Sequence, residues 1–329
     1  MKYLCRARLA ALLAAAFLAL PLTARALEII SVSVTTEENV RNTAPIAENM
    51  EYKTYRNVAI EGELSATDPE GDSLRFRLGK EPKKGTVELQ GSRFVYTPKK
   101  DKKGTDSFTY TAEDSFGNVS AEATVTIRIE KQSTKLRYAD LEGDPLHYAA
   151  LRLAEEGVYL GEQVGGVAYF RPEETLTRGE FLSMCLSAAG VELLEGVTRT
   201  GFSDDAEIPD WEKNAVSTAL MAGIVRGYAP GDGRVVFAAE NPVIGAEALV
   251  MLNNSLRIVD VTVPLTYKEA VPVWAAQAAA NCTACSLVAE GQDLSVPLDR
   301  GRAAQLLTAA MDLLQRREGR GFSLLGWAR

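Results

Sequence analysis

The chain has 329 residues and a formal net charge of -8, from 36 basic and 44 acidic side chains. A chain of this length predicts two or more domains. Its acidic balance disfavours nucleic acid and anionic lipid as partners, because both carry charge of the same sign.

Residues 1–26 have the pattern of a secretory signal peptide. Lys2, Arg6 and Arg8 precede an apolar run over residues 9–20, and the small-x-small sequence of residues 24–26 follows as a cleavage site. The apolar run is too short to span a membrane. We therefore expect an exported protein, with a short N-terminal anchor as the alternative.

Cysteine and histidine usage argues against a redox or catalytic centre. Cys5 lies in the predicted signal peptide, which leaves an odd number of cysteines: Cys185, Cys282 and Cys285. An odd number does not make a full disulfide framework. The spacing of Cys282 and Cys285 suits a redox or metal pair, but buried apolar thiols are the better interpretation. His147 is the single histidine, so we expect no catalytic triad, and we predict no catalytic residues and no cofactor apart from calcium.

Residues 27–44 read as a leader and linker, and residues 45–130 predict a β-sandwich. Hydrophobic residues alternate with polar ones in short runs, each bounded by turn residues such as Gly, Pro and Asp. About seven such strands favour an immunoglobulin-like sandwich. An open antiparallel sheet is the alternative.

The sequence of this segment resembles those of bacterial cadherin-like and immunoglobulin-like surface repeats. The matching pieces are residues 44–47, 66–72, 85–87, 94–98 and 104–108, with Asp114 and Gly117 closing the pattern. The resemblance implies an all-β sandwich that serves as a spacer or an adhesive module.

Acidic residues on the predicted loops make calcium a candidate ligand of the sandwich. They are Asp68, Glu70, Asp72, Asp106 and Asp114. Calcium takes six to eight oxygen ligands, which carboxylates supply. The alternative is turn chemistry, in which these side chains accept hydrogen bonds from local backbone amides.

After a polar linker at residues 131–137, the hydrophobic period changes from 2 to 3.6, and residues 138–318 predict three diverged helical repeats. We place them at residues 138–190, 201–257 and 266–315, with a tail at residues 319–329. Each opens with an aromatic residue, a spacer and an acid: Tyr138 to Asp140, Phe202 to Asp204, and Tyr267 to Glu269. A first helix follows at residues 146–156, 211–221 or 273–285, and a second helix begins at Thr177, near Ile244 or near Asp299.

Residues 170–182 contain the most distinctive start of a helix. Arg171 precedes a proline and is therefore pushed towards extended backbone. Thr177 and Glu180 form a predicted capping box, in which each side chain satisfies the other's backbone amide. The string Phe-Arg-Pro followed by Thr-Arg-Gly-Glu-Phe resembles the S-layer homology (SLH) repeat, in which Ala is usual at Gly179.

The resemblance implies an all-α prism of three SLH repeats, which binds an anionic secondary cell-wall polysaccharide in grooves between repeats. Arginine suits such a ligand because its planar fork pairs with a carboxylate, and an indole face can lie against a sugar ring. The residues that the resemblance assigns to polysaccharide binding are Asp140, Arg178, Asp204, Trp211, Gly227, Gly231, Trp274 and Arg300. The second repeat has Gly245 in place of the arginine. In the first repeat, either Pro145 or Tyr148 takes the place of the tryptophan.

Five of the assigned residues also have a structural interpretation. The tryptophans could be core residues between repeats, the aspartates could cap the following helical segments, and Arg178 could pair with an acid of a neighbouring repeat.

The sequence therefore predicts a multidomain, non-catalytic surface protein, monomeric and anchored non-covalently to the wall of a Gram-positive-type bacterium. One alternative is a protein–protein interaction module, which buried and paired Arg178 and Arg300 would favour. A wall-glycan enzyme is a weaker alternative, because it would need two positioned carboxylates in a cleft.

Overall fold

The computed structural model describes residues 42–231, 233–263, 271–289 and 291–319. The predicted signal peptide, most of the leader, the aromatic opening of the third repeat at residues 267–269, and the tail from residue 320 onwards lie outside the described residues.

Residues 42–131 form a sheet-rich domain, in agreement with the predicted sandwich. Its strands are β1 (Ile46–Ala47), β2 (Met50–Tyr55), β3 (Ile60–Glu63), β4 (Ala66–Thr67), β5 (Arg75–Leu78), β6 (Gly85–Gln90), β7 (Arg93–Pro98), β8 (Gly104–Glu113) and β9 (Ala123–Glu130). One sheet has the order β2-β9-β8-β5, a second has the order β3-β7-β6, and β1 pairs with β4. The β2–β9 pair is parallel, and the other pairs are antiparallel.

The period-2 pattern places one face of each long strand in a common core. In β9, the side chains of Val125 and Ile127 are fully buried, whereas Arg128 between Ile127 and Ile129 is exposed. Phe94 and Phe108 from opposite sheets meet in the core with ring centroids 5.1 Å apart. The two sheets therefore pack face to face, as a sandwich does.

The following segment is mainly helical. Short 3₁₀ turns at Ala139–Leu141 and Asp205–Glu207 precede two of its helices. The helices are α1 (Leu146–Glu155), α2 (Arg178–Ala188), α3 (Lys213–Met221), α4 (Gly245–Leu256), α5 (Val273–Ala284) and α6 (Arg300–Gly319). They follow one another as three pairs, α1 with α2, α3 with α4, and α5 with α6.

The segment is not purely α-helical, which corrects the predicted all-α class. A hairpin of β10 (Glu162–Val164) and β11 (Val167–Tyr169) lies between α1 and α2. Gly165 and Gly166 both have positive φ, 59° and 81°, as a two-residue hairpin turn of type I′ requires. The sequence predicted an extended loop here.

Three backbone hydrogen bonds join the helix pairs in a closed ring. The amide of Leu176 donates to the carbonyl of Leu298, that of Leu298 to Val243, and that of Val243 to Leu176, at 3.0, 2.8 and 3.0 Å. Each of these residues lies just before the second helix of its pair. The backbone around the three helix starts therefore has pseudo-threefold symmetry.

The sandwich packs against the first helix pair. The Tyr55 hydroxyl donates to the Glu155 carboxylate at the end of α1, and the rings of Tyr55 and Tyr148 lie 5.3 Å apart. Tyr55 and Val58 are buried in the same hydrophobic core as the helices. A pocket of about 200 Å³ between the sandwich and the α6–α1 contact is lined by Glu61, Leu146 and Gly301, among others. The sandwich therefore covers the contact between the third and the first pair.

Candidate functional site

Asp140 and Asp204 hold their own repeats together. The Asp140 carboxylate accepts the amides of Phe170 and Arg171 at 3.0 and 2.7 Å. The Asp204 carboxylate accepts those of Phe237 and Ala238 at 2.9 and 2.7 Å. Both acids thus anchor the loop before the second helix, where Arg171 and Ala238 adopt left-handed backbone. The extended backbone predicted for Arg171 is therefore wrong. Neither acid makes the side-chain cap that the sequence suggested.

Arg178 is buried, with 4% of its surface exposed. Its Nε donates to the carbonyl of Phe237 at 3.1 Å, and its Nη1 lies 3.1 Å from the Glu247 carboxylate of the next pair. The guanidinium carbon lies 4.4 Å from the ring centroid of Tyr228, whose hydroxyl also bonds Glu247. All of these contacts lie within the protein.

Arg300 has a similar arrangement at the start of α6, although its buried Nε has no hydrogen-bond partner among the described residues. It is 6% exposed, and its Nη1 donates to the carbonyl of Phe170 at 2.9 Å. Its Nη2 lies 2.8 Å from Glu174, and the guanidinium lies 5.0 Å from the Tyr159 ring centroid.

The two arginines therefore differ from their predicted role as free partners for an anionic ligand. Each guanidinium joins a loop carbonyl, an aromatic ring and a carboxylate of the neighbouring helix pair. A buried charge needs such partners, because desolvation without them is costly. For Arg178 this pairing with an acid of a neighbouring repeat confirms the alternative interpretation drawn from the sequence.

Trp211 and Trp274 lie at the protein surface, 64% and 57% exposed. The interpretation as core residues is therefore incorrect. The two positions are equivalent, because the same hydrogen bond closes each first helix: the amides of Val158, Ile224 and Leu287 donate to the carbonyls of Leu153, Ala219 and Cys282. The residue eight positions before each of these carbonyls is Pro145, Trp211 or Trp274. The first pair thus has proline, not Tyr148, in the tryptophan position.

The glycines Gly227 and Gly231 play different parts. A Cβ on Gly227 would lie 2.5 Å from the carbonyl oxygen of Val236 and 2.6 Å from the ring of Phe202. A side chain at Gly227 would therefore clash with its own loop. This clash, and not the predicted access for a ligand, explains the glycine. Nothing lies within 4 Å of a Cβ built on Gly231, whose φ is +95°.

Sequence reasoning missed Glu212, which lies just before α3. Its side chain is 1% exposed, and its Oε2 has no hydrogen-bond partner among the described residues. Burial, followed by the charges of Glu240 and Glu180, raises the pKa of Glu212 to about 7. A Cβ on Gly179 of α2 would overlap its carboxylate. The sequence contained a signal for this residue: an acid stands at a position where the other two pairs have the apolar residues Leu146 and Ala275.

Three of the five acids predicted for calcium lie together. Carboxylate oxygens of Asp68, Asp72 and Asp114 lie within 4.8 Å of one another, and Oδ2 of both Asp68 and Asp72 is buried without a hydrogen-bond partner among the described residues. Orphaned carboxylate oxygens fit a hard cation. Glu70, also on this loop, accepts from the Thr43 hydroxyl instead.

Asp106 does not belong to this cluster, which corrects the prediction for it. Its carboxylate accepts the Tyr96 hydroxyl at 2.8 Å and the amides of Lys83 and Lys84 at 2.9 and 2.7 Å. Burial acts to raise its pKa, but these hydrogen bonds outweigh burial, so the pKa of Asp106 is lowered. Asp114 also follows the turn interpretation in part, because it accepts the amides of Phe116 and Asn118.

The remaining reactive side chains lie in the helical segment and are buried, except that Cys285 is only partly buried, which corrects the interpretation of all three thiols as buried. His147 is 6% exposed, burial lowers its pKa, and its Nε2 accepts the amide of Tyr138 at 3.4 Å. Cys185 and Cys282 are fully buried, and burial raises the pKa of each thiol to about 12. Thiols with such pKa values are unreactive.

Within the described ranges, no helix combines the length and apolar character that crossing a membrane requires.

Two parts of the chain match known domain families. Residues 42–131 match the bacterial cadherin-like domain, and residues 201–249 match the S-layer homology domain.

The curated relatives are much longer proteins. Exoglucanase XynX of Acetivibrio thermocellus is 28% identical over 136 residues, which cover 40% of this chain and 12% of that protein. Amylopullulanase of Thermoanaerobacterium thermosulfurigenes is 34% identical over 91 residues, which cover 26% of this chain and 5% of that protein. The chain thus spans a small part of each enzyme.

Among solved structures, an endo-fucoidan hydrolase of glycoside hydrolase family 107 is 22% identical, covering 28% of this chain and 14% of its own, with a TM-score of 0.24. The SrpA adhesin of Streptococcus sanguinis is 17% identical, covering 31% and 64%, with a TM-score of 0.24. These similarities are too weak to support a functional argument.

Proposed function

We propose that this chain is a non-catalytic, exported surface protein. It carries a bacterial cadherin-like domain at residues 42–131 and an SLH domain at residues 201–249. The SLH domain supports attachment to the cell wall. In this proposal the helical segment binds a secondary wall polysaccharide of a Gram-positive-type bacterium, and the sandwich is the spacer or adhesive module.

The anchor in this proposal consists of three SLH repeats that close into one prism. The ring of hydrogen bonds through Leu176, Val243 and Leu298 supports it, because each pair contributes the same backbone position. The bonds continue in register: the amides of Arg178, Gly245 and Arg300 donate to carbonyls of the adjacent pair at 2.9, 3.1 and 2.8 Å. This repetition supports two further repeats beside the domain match at residues 201–249.

The exposed indoles carry the binding proposal. Trp211 and Trp274 occupy equivalent positions on two pairs, and both leave more than half of their surface in solvent. A large aromatic group exposed at a repeated position suits stacking against the apolar face of a sugar ring. In this proposal the arginines act indirectly, because they stabilise the contacts between helix pairs. Direct binding of an anionic polymer by the arginines is not required.

A second candidate is a protein–protein interaction module. The burial and internal pairing of Arg178 and Arg300 favour it, because the chain then lacks the two cations that an anionic polymer was expected to meet. The exposed indoles would in that case be anchors for a protein partner, since tryptophan is enriched at such contacts.

Sedimentation with purified wall sacculi separates the two candidates. The chain from residue 27 onwards would be mixed with intact sacculi and with sacculi stripped of secondary polymer by acid. Retention on intact sacculi alone supports polysaccharide binding. Equal retention on both would assign the anchor to peptidoglycan, and no retention on either would favour a protein partner.

We also propose calcium as a ligand of the sandwich. The orphaned oxygens of Asp68 and Asp72 beside Asp114 support this proposal, and it is tested by thermal unfolding with and without the ion.

A further inference from the structure

The first helices of the three pairs, with the residues just before them, present comparable stripes of side chains at helical spacing on one face. In the first pair the stripe consists of Pro145, Tyr148, Arg152 and Glu155. The hydrogen bonds that close the first helices align it with two others: Trp211, Asn214, Thr218 and Met221 in the second pair, and Trp274, Gln277, Asn281 and Ala284 in the third. We call these the outer stripes. The first pair therefore differs at both ends of its outer stripe, where it has proline in place of tryptophan and glutamate in place of an uncharged residue.

A short connector covers the middle of the outer stripe in the second and third pairs. The amide of Leu194 donates to the Thr218 hydroxyl at 2.9 Å, and the amide of Val261 donates to the side-chain carbonyl of Asn281 at 3.0 Å. The ends of both stripes stay in solvent, including the two exposed indoles. In these pairs the connector therefore leaves the tryptophan position open.

In the first pair, the sandwich and the linker that follows it take the place of the connector. The Glu155 carboxylate accepts the hydroxyl of Tyr55 in β2 and the backbone amides of Ser133 and Thr134 in the linker. The Tyr55 ring also lies against that of Tyr148, with centroids 5.3 Å apart. Neither of the other outer stripes has an acid or an aromatic residue at the positions of Glu155 and Tyr148, so these docking contacts are specific to the first pair.

The sandwich also reaches the other end of this stripe. Pro145 and Leu146 form one wall of a cleft of about 980 Å³, and strand β3 forms the opposite wall with Ile60 and Glu61. The same strand packs against α1. Pro145 is half-buried, whereas the equivalent indoles are exposed. A polymer chain lying across the first pair at this position would therefore meet the sandwich.

We propose that the sandwich is a built-in cover of the first pair, which closes one of three equivalent ligand positions and leaves open the two that carry an indole. The ligand part of this inference rests on the proposed function, whereas the cover itself does not. The distribution of residues supports it. Tryptophan occurs on the two pairs whose position is open, and the residues that hold the sandwich occur on the pair whose position is closed.

Apolar burial and a polar contact network both hold the cover in place. Tyr55 and Val58 are buried in the same hydrophobic core as the helices, so lifting the sandwich would expose apolar surface to water. Arg152 donates to the Tyr148 hydroxyl and to Asp312 of α6, both at 3.2 Å, which fixes Tyr148 next to the Tyr55 ring. The sandwich therefore leaves the anchor in a fixed direction, unlike a domain on a flexible linker.

The test measures how fast a bulky reagent reaches each of the three equivalent positions. Pro145→Cys, Trp211→Cys and Trp274→Cys would each be made in the chain from residue 27 onwards with Cys285→Ser, since the two remaining thiols are fully buried. The probe is a maleimide carried on dextran, a polysaccharide too bulky to enter the cleft freely. We expect the Pro145→Cys thiol to react at least about tenfold more slowly than the other two, because labelling there requires the sandwich to separate locally.

Glu155→Ala is the variant that should loosen the cover. It removes the acceptor shared by Tyr55 and the linker, so labelling of Pro145→Cys should accelerate while labelling of Trp211→Cys stays unchanged. Tyr55→Phe, which removes only the hydroxyl and keeps the buried ring, should act in the same direction without disturbing the core. Glu156→Ala is the matched control, because this neighbouring acid is exposed and its removal should leave every rate unchanged.

Equal labelling rates at the three positions would overturn the inference, and so would a Pro145→Cys rate that neither Glu155→Ala nor Tyr55→Phe raises. Retention of the wild-type chain on intact sacculi keeps the two claims apart. Slow labelling of Pro145→Cys without wall retention would leave the cover standing and remove the anchor. Wall retention with equal labelling would leave an anchor with three open positions and remove the cover.

Discussion

Arg178 at the start of α2 and Glu247 in the first turn of α4 form a buried ion pair, with Nη1 and Oε2 3.1 Å apart. The pair connects the first helix pair to the second. Glu247 also accepts the amide of Ile244 at 3.2 Å, so one carboxylate caps its own helix and binds the neighbouring repeat.

Arg178→Ala should therefore destabilise the helical segment strongly. It would leave Glu247 without its cation and the Phe237 carbonyl without its donor, and breaking a buried pair in this way costs about 3–5 kcal/mol. The measurement is chemical denaturation followed by circular dichroism. Arg77→Ala is the control, because it breaks an ion pair whose arginine is 67% exposed and should change stability by less than about 1 kcal/mol. Equal effects of the two variants would contradict the structural role of Arg178.

Gly179→Ala should be destabilising although alanine is the better helix former. The new methyl group would overlap the Glu212 carboxylate. In a Glu212→Ala background the same substitution should become neutral or stabilising, by up to about 1 kcal/mol, since the overlap is gone and the propensity gain remains. A double-mutant cycle of unfolding free energies measures this coupling. Additive effects would show that the two residues do not meet.

The free energy of unfolding should decrease as the pH rises from 4.5 to 7, because Glu212 loses its proton over this range. Its pKa is raised from 4.5 to about 7 in the folded protein, so the folded state holds the proton more tightly than the unfolded state. The stabilisation is fully present below the unfolded pKa and is lost as pH rises through the folded pKa. Its size is about 3 kcal/mol.

Glu212→Gln should remove this part of the pH dependence. The comparison is between wild-type and variant unfolding free energies at a series of pH values from 4 to 8. A wild-type curve whose slope persists unchanged in the variant would assign the dependence to other groups.

Calcium should raise the melting temperature of the sandwich by binding Asp68, Asp72 and Asp114. Asp72→Asn should reduce the calcium-induced shift, because it replaces a charged ligand that has an orphaned oxygen. Asp106→Asn is the matched control: it should lower the melting temperature by disturbing the Tyr96 hydrogen bond while keeping the calcium-induced shift. A wild-type melting temperature that is the same in calcium and in chelator would exclude the site.

Local sequence signals predicted much of the local structure, although not the left-handed backbone of Arg171. The capping box of Thr177 and Glu180 is present with both of its hydrogen bonds, at 3.2 and 2.9 Å. Thr177 could be identified because a cap is encoded within four residues. The start of α4 near Ile244 was predicted by comparison with the first repeat, and there the Glu247 carboxylate accepts the amide of Ile244.

Features that depend on distant residues were not predictable in the same way. The partners of Arg178 and Arg300 lie in other helix pairs, and no spacing within a repeat reveals them. Two local features were also missed. The first is β2, whose inward-facing residues Met50, Tyr52 and Thr54 alternate as a strand predicts. The second is the hairpin of β10 and β11, whose Gly165-Gly166 turn is a recognised hairpin signal.

In the proposed function, the helical segment holds the protein to the wall through its exposed indoles. This role is tested by retention of the Trp211→Ala, Trp274→Ala double variant on intact sacculi, beside the wild-type chain and a Met221→Ala control. Met221 is 78% exposed, so the control removes another large apolar side chain from the surface. We predict that the double variant folds normally and is no longer retained, whereas wild type and control are retained until the secondary polymer is stripped. Undiminished retention of the double variant would show that the indoles do not hold the protein to the wall.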